Sequence, residues 1–230
     1  MFKQSRMAII LILVVVIASQ FLLPWLVSKV VARGMAGVLG TEQVTATVEK
    51  SPAMLMLGGR FDRVVISAQN ARVDRLIFAE IDAVLTDVKL DAAALISGQQ
   101  LVVKSAKEVN LTASITQEEL SRYLNQAVKG VKNAVVSVNG GEVKISGDFG
   151  LGKIASVAVT LEGRVSADDQ KIKFVTERFL INNTLVGKIG GTALTEVPLV
   201  DLKKFPFNVV VRQITMEDGK VTVFADNHAQ

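Results

Sequence analysis

Asn139-Gly140-Gly141-Glu142-Val143-Lys144-Ile145-Ser146-Gly147-Asp148-Phe149 decides the fold class of this chain. Val143, Ile145, Gly147 and Phe149 alternate with Glu142, Lys144, Ser146 and Asp148, a period of two that gives a sheet one covered and one wet face. Asn139-Gly140-Gly141 is a tight-turn signal, so the strand is the second arm of a hairpin begun by Val135–Val138. Glu217-Asp218-Gly219-Lys220 repeats the device between Phe207–Thr215 and Val221–Ala225. Working outward, stretches rich in Val, Ile and Thr and bounded by turn residues predict antiparallel strands. They are Thr45–Glu49, Phe61–Gln69, Arg72–Phe78, Ile81–Leu90, Leu101–Lys104, Glu108–Ser114, Ile154–Val165 and Lys171–Leu180.

One internal helix stands among these strands. Thr116 as N-cap with Glu119 three residues on is a capping box, and Ile115 pairs with Leu120 as a hydrophobic staple. Leu120, Tyr123, Leu124, Ala127, Val128 and Val131 then fall on one helical face, and Gly130 marks the stop. Shorter helical signals lie at Asp91–Ile96 and Thr184–Leu194, the latter broken by Gly187, Gly190 and Gly191. The expected class is α+β and strand-rich, a long curled antiparallel sheet packed with a few helices.

Composition narrows the function. The 230 residues hold 26 Lys and Arg against 22 Asp and Glu. Lys3, Arg6, Lys29 and Arg33 precede the first acid, Glu42, so from Gly34 onward the balance is zero. The pI near 9.3 belongs to the N-terminal segment, which argues against a nucleic-acid footprint on the body. With no cysteine, disulfides, thiolate zinc sites and a Cys nucleophile are excluded, and a single histidine, His228, close to the end of the chain argues against a His-based triad or a multi-histidine metal site. A mean hydropathy of +0.39 leans toward membranes.

Met7–Val27 is 21 residues without a charge, about 31 Å as a helix, against a hydrocarbon core of about 30 Å. Two readings fit. As a transmembrane anchor it is preceded by Lys3 and Arg6, and Trp25 sits at the interface level. As a cleaved signal peptide it has Met7–Ile17 as its apolar core and Val16-Ile17-Ala18 as the cleavage site. Phe21–Val27 continues the apolar run past that site, which favours the anchor. Lys29 and Arg33 nearly cancel Lys3 and Arg6 under the positive-inside rule. A short cytoplasmic tail with the large domain translocated is the commoner arrangement, and both readings put the body outside the cytoplasm. The expected division is an anchor over 1–33 and a single extracytoplasmic domain over 34–230. After Pro24, the stripe Leu26, Val27, Val30, Val31, Met35, Val38 and Leu39, stopped by Gly40, predicts the domain's first helix.

Two strands carry apolar residues on both alternating sets: Ile81, Ala83 and Leu85 with Val84, Val88 and Leu90; Ile172 and Phe174 with Val175, Phe179 and Ile181. Either the sheet is covered on both faces, or its second apolar face lines a groove for an apolar ligand. Motifs for other chemistry fail. Gly150-Leu151-Gly152-Lys153-Ile154-Ala155 resembles a dinucleotide loop but leads into a strand. Gly187-Lys188 lacks the rest of a P-loop. No carboxylate pair, metal cluster or nucleophile constellation emerges, so neither an enzyme nor a cofactor is expected.

Four segments together resemble the LmeA family of phospholipid-binding envelope proteins. They are Ser51-Pro52 through Gly59-Arg60-Phe61-Asp62-Arg63-Val64; Leu90-Asp91 through Leu95-Ile96-Ser97-Gly98; Ile115-Thr116-Gln117-Glu118-Glu119-Leu120 with Tyr123-Leu124; and Phe205-Pro206-Phe207 leading into Asp218-Gly219-Lys220-Val221. The resemblance covers most of the chain from about Pro24 to Ala225. It implies a tubular-lipid-binding-like architecture, phospholipid as ligand, and a place on the outer side of a bacterial cytoplasmic membrane. It brings no catalytic motif. From alternation, the candidate lipid wall is Ile66, Val84, Val88, Leu124, Val128, Val159, Phe174 and Phe179. Arg60, Arg63, Arg75 and Arg178 are candidate headgroup partners. The competing expectation is a scaffold that holds a partner enzyme or envelope complex at the membrane.

Overall fold

The N-terminal apolar run is helical throughout. The computed structural model describes residues 2–91, 93–94, 102–128, 130–151, 155–168, 170–182, 184–186, 196–205 and 207–228. Helix α1 (Phe2–Leu39) passes through Pro24 without a break, so the domain's first helix does not start there but continues the apolar segment. It ends at Gly40, whose φ of +58° is the left-handed stop that glycine supplies. Val31, Met35 and Leu39 are at most 1% exposed, so the division expected at residue 33 falls within a helix already embedded in the body. Towards the N-terminus Ile10, Leu13, Val14, Ile17, Phe21 and Leu22 are exposed.

The strands form two antiparallel sheets instead of one long one. The first runs in the order β1 (Val44–Glu49), β2 (Arg60–Val73), β3 (Leu76–Leu90), β5 (Glu108–Thr116), β13 (Lys220–Asp226), β12 (Val210–Glu217), with the short β4 (Val103–Ser105) beside β3. The second runs β10 (Thr184–Leu185), β9 (Lys171–Ile181), β8 (Ala155–Asp168), β7 (Glu142–Leu151), β6 (Val131–Asn139), with β11 (Glu196–Asp201) also on β9. The expected strand Arg72–Phe78 is instead a hairpin corner: Val73 pairs with Leu76, and Asp74 turns the chain at φ +59°. The weak helix at Thr184–Leu194 begins as strand β10; its remainder, like most of Asp91–Ile96, lies outside the described residues.

Register explains the doubled apolar sets. On β3, Leu76 and Phe78, then Ile81, Ala83 and Leu85, then Val88 and Leu90 are all buried in one core. The parity changes because two neighbouring residues point outward at each switch, with Asp87 (φ +46°) and, across on β2, Asn70 (φ +53°) taking up the turn. Pairing stays in step, Phe61 with Val88 and Val64 with Leu85, so both strands change phase together. On β9 the shift is one-sided. Glu162 pairs with Arg178 but Gly163 with Thr176, which leaves Glu177 extra and returns Phe179 to the face of Phe174. The second apolar face expected from the sequence is thus mostly the first face resumed; Val84 and Val175, both half-buried, remain on the other side.

Helix α2 (Gln117–Ala127) joins the sheets. The N-cap half of the capping box forms, with Thr116 Oγ1 accepting the Glu119 N–H at 3.3 Å, while the Glu119 carboxylate pairs with Arg122. Its apolar stripe buries Leu120 and Leu124. Its polar stripe has a second use, since β6 is an edge strand with free N–H groups. Gln117, Ser121 and Asn125 accept from the N–H groups of Val138, Val136 and Ala134 at 3.4, 2.8 and 2.8 Å. Four helical residues rise about 6 Å and two strand residues about 6.6 Å, so the two periods match. Asn125 also donates to the Ala134 carbonyl at 3.0 Å. Asn125→Leu is expected to cost about 2 kcal/mol by stranding both groups, measured as a lowered urea midpoint at unchanged m-value.

One apolar core runs across both sheets, α1 and α2, and no polar or charged side chain is buried among the described residues. Phe78 meets Phe205 edge-on at 5.9 Å. The hairpin turns also knit the sheets: the Gly219 N–H donates to the Val138 carbonyl, and the Gly141 N–H to that of Met216.

Candidate functional site

The inner face of the second sheet is a set of cross-strand rows. Val136, Ile145, Leu161 and Phe179 form one row, and all four are buried. The next contains Gly147, Val159 and Ile181, and the one beyond it Val131, Phe149 and Val157. These last two rows stay apolar but are only half-buried. The face therefore outruns its cover, leaving an apolar shelf at the end of β6, β7, β8 and β9. The hollow there, lined by Val131, Ile145, Gly147, Asp148, Phe149, Val159 and Leu161, holds about 30 Å³. That is room for about two or three waters, so the shelf is a contact surface and not a ready cavity for a chain. The opposite face is polar and paired: Lys144 with Glu162 at 3.2 Å, and Arg178 with Glu162 at 3.0 Å and Glu142 at 3.6 Å.

The candidate wall residues divide accordingly. Val159 lines the shelf, Phe179 backs it from the adjoining row, and Phe174 lies deeper on the same face. Ile66 and Val88 are buried in the first sheet, Leu124 is buried on α2, and Val128 follows α2 half-buried. Val84 points to the other side of the first sheet. The four arginines are not brought together. Arg60 and Arg63 are exposed at the start of β2, Arg75 sits in the turn at its far end, and Arg178 is engaged on the outer face.

Arg75 does border a second concavity. Two adjoining crevices of about 260 and 520 Å³ share Asp74 and Tyr123. The first is lined by Arg72, Arg75, Glu119 and Arg122, the second by Asp168, Lys171, Lys173, Glu196 and Asp201, among others. Five cations face five carboxylates, so no excess charge selects an anion. Arg122 pairs with Glu119, and Lys173 with Glu196 at 2.9 Å. At the opposite end of β2, the Lys50 ammonium, with the Ser51 N–H, holds Asp62 below the usual carboxylate range.

The shelf residues Phe149, Val157, Val131 and Ile181 were missed as site residues. The signal for Phe149 was its place in the Val143–Phe149 alternation, but the row it joins exists only once register is known. Among the described residues no group of His, Asp or Glu is placed to hold a metal.

A family model described as LmeA-like phospholipid-binding matches residues 18–226. The chain belongs to that family. The match spans both sheets, α2 and the C-terminal part of α1, so the family is defined by the whole body and not by one motif. No curated protein and no solved structure matches the chain. Within the LmeA-like body, the shelf is a run of half-buried apolar rows on the inner face of the second sheet.

Proposed function

We propose that this chain is a membrane-anchored phospholipid-binding protein of the bacterial cell envelope that holds or transfers lipid in an apolar groove, without catalysis. The N-terminal part of α1 crosses the cytoplasmic membrane once, and the body that begins with its embedded C-terminal part acts as a single extracytoplasmic domain. The observation that carries this reading is the half-covered apolar shelf in a chain of a phospholipid-binding family. Supporting it, α1 contains a stretch long and apolar enough to span a bilayer by length and composition. Acyl tails laid on the shelf would gain about 0.8 kcal/mol per buried CH₂. Because the hollow is small, on this reading the sheet closes around the tails when lipid binds.

The test is native mass spectrometry with lipid extraction on residues 27–230, which keep the α1 side chains embedded in the core, purified without detergent. A stoichiometric phospholipid is expected. A folded, empty domain that takes up no added phospholipid would sink the proposal, and a stoichiometric protein partner in its place would favour the scaffold.

A further inference from the structure

Three large apolar side chains stand in water beside α1. The 3₁₀ turn Ala53–Gly58 buries Ala53 and Met56 but leaves Met54, Leu55 and Leu57 at 54%, 48% and 59% exposure. The turn is held to the helix at a definite level, since the Ala53 N–H donates to Gln20 Oε1 at 3.0 Å. Gln20 lies within the uncharged run Met7–Val27. Five residues further on, Trp25 is exposed and the Lys29 ammonium sits 3.9 Å from its ring centre, a pairing suited to the membrane interface. Five residues of helix are about 7.5 Å. With α1 upright in a bilayer, the 53–58 turn lies about that far on the hydrocarbon side of Trp25, within the 5–10 Å to which interfacial segments sink.

Positive charge adjoins the turn. Gly59 ends the turn, and Arg60, the next residue, pairs in register with Lys89 on the neighbouring strand. Both are exposed, and neither has a carboxylate partner among the described residues. Two cations placed opposite each other oppose strand pairing unless anions such as lipid phosphates lie against them. Lys50 is already engaged by Asp62.

We infer that the 53–58 turn is a second membrane contact: Met54, Leu55 and Leu57 enter the leaflet that α1 crosses, while Arg60 and Lys89 meet its anionic headgroups. This rests on the anchor reading of α1. It fixes the body's rotation about α1, so that the start of β2 and the end of β3 face the bilayer.

The chain has no cysteine, so Leu55→Cys and Leu57→Cys each give one labelling site in the full-length protein. With an environment-sensitive fluorophore attached, each variant is reconstituted in phosphatidylcholine–phosphatidylglycerol vesicles with and without brominated acyl chains. Leu22→Cys in α1 and Asn139→Cys in the β6–β7 turn are the references. Loss of emission at 55 and 57 matching that at 22, with none at 139, is the expected result. Quenching at 22 with 55 and 57 behaving like 139 overturns this inference and leaves the anchor standing. No quenching at 22 removes the anchor reading and the inference with it.

Discussion

Gly163→Ala is expected to destabilise the protein by about 3 kcal/mol or more, a large part of the 5–15 kcal/mol that holds a typical domain. A Cβ at this position would lie 2.0 Å from the Val175 carbonyl oxygen, 2.9 Å from its carbon and 3.0 Å from Thr176 Cα. All three are backbone atoms, so no side-chain rotation relieves the clash and β8 must part from β9. The constraint is space, since Gly163 is not among the positive-φ glycines. The close approach falls at the bulge, where Gly163 pairs with Thr176 and the extra Glu177 returns Phe179 to the inner face. Urea unfolding followed by circular dichroism reads the effect. Gly37→Ala is the control: nothing lies within 4 Å of its Cβ, and a helical alanine in place of glycine is expected to gain up to about 1 kcal/mol. Equal midpoints for the two variants would show that the β8–β9 spacing tolerates a methyl group and that the bulge is not what demands glycine.

Val159→Asp is expected to abolish phospholipid uptake while leaving the fold in place. Val159 is half-buried on the shelf, so an aspartate there reaches water in the empty protein but meets acyl chains in the loaded one. An aspartate among acyl chains costs about 2.5–3.5 kcal/mol, a loss of the order of a hundredfold in affinity. Thr160→Asp, one residue along and on the outer face beside Ser146, is expected to bind as the parent does. The readout is transfer of a fluorescent phospholipid from donor vesicles, with circular dichroism to check folding. Undiminished binding by Val159→Asp would remove the shelf from the lipid path.

The two expectations differ in how much the linear chain reveals. Gly163 carries no turn signal and interrupts no pattern; its importance is a distance to Val175, set by register. Val159 was legible as an apolar strand position, yet so were Ile66 and Phe174, and alternation alone does not tell a covered residue from a half-covered one. The stripe Gln117, Ser121, Asn125 lies off the apolar face of α2, and its role as partner of an edge strand has no local signal. Arg60, Arg63, Arg75 and Arg178 shared only their charge; pairing dispersed them to two ends of β2 and the outer face of the second sheet.

What the sequence determined by itself is local. Period-two alternation, Gly140-Gly141, Asp218-Gly219, the Thr116 cap and the long apolar run each encode a conformation within a few residues, because sterics, capping and hydropathy act over that range. The α+β class, both hairpins, α2 and the helical N-terminus follow from them. The tertiary structure alone decided which strands share a sheet, where the parity of β2, β3 and β9 shifts, and which apolar residues lie beyond the cover. Those outcomes depend on pairing between segments far apart in the chain, and one inserted residue such as Glu177 reverses which side every later side chain takes.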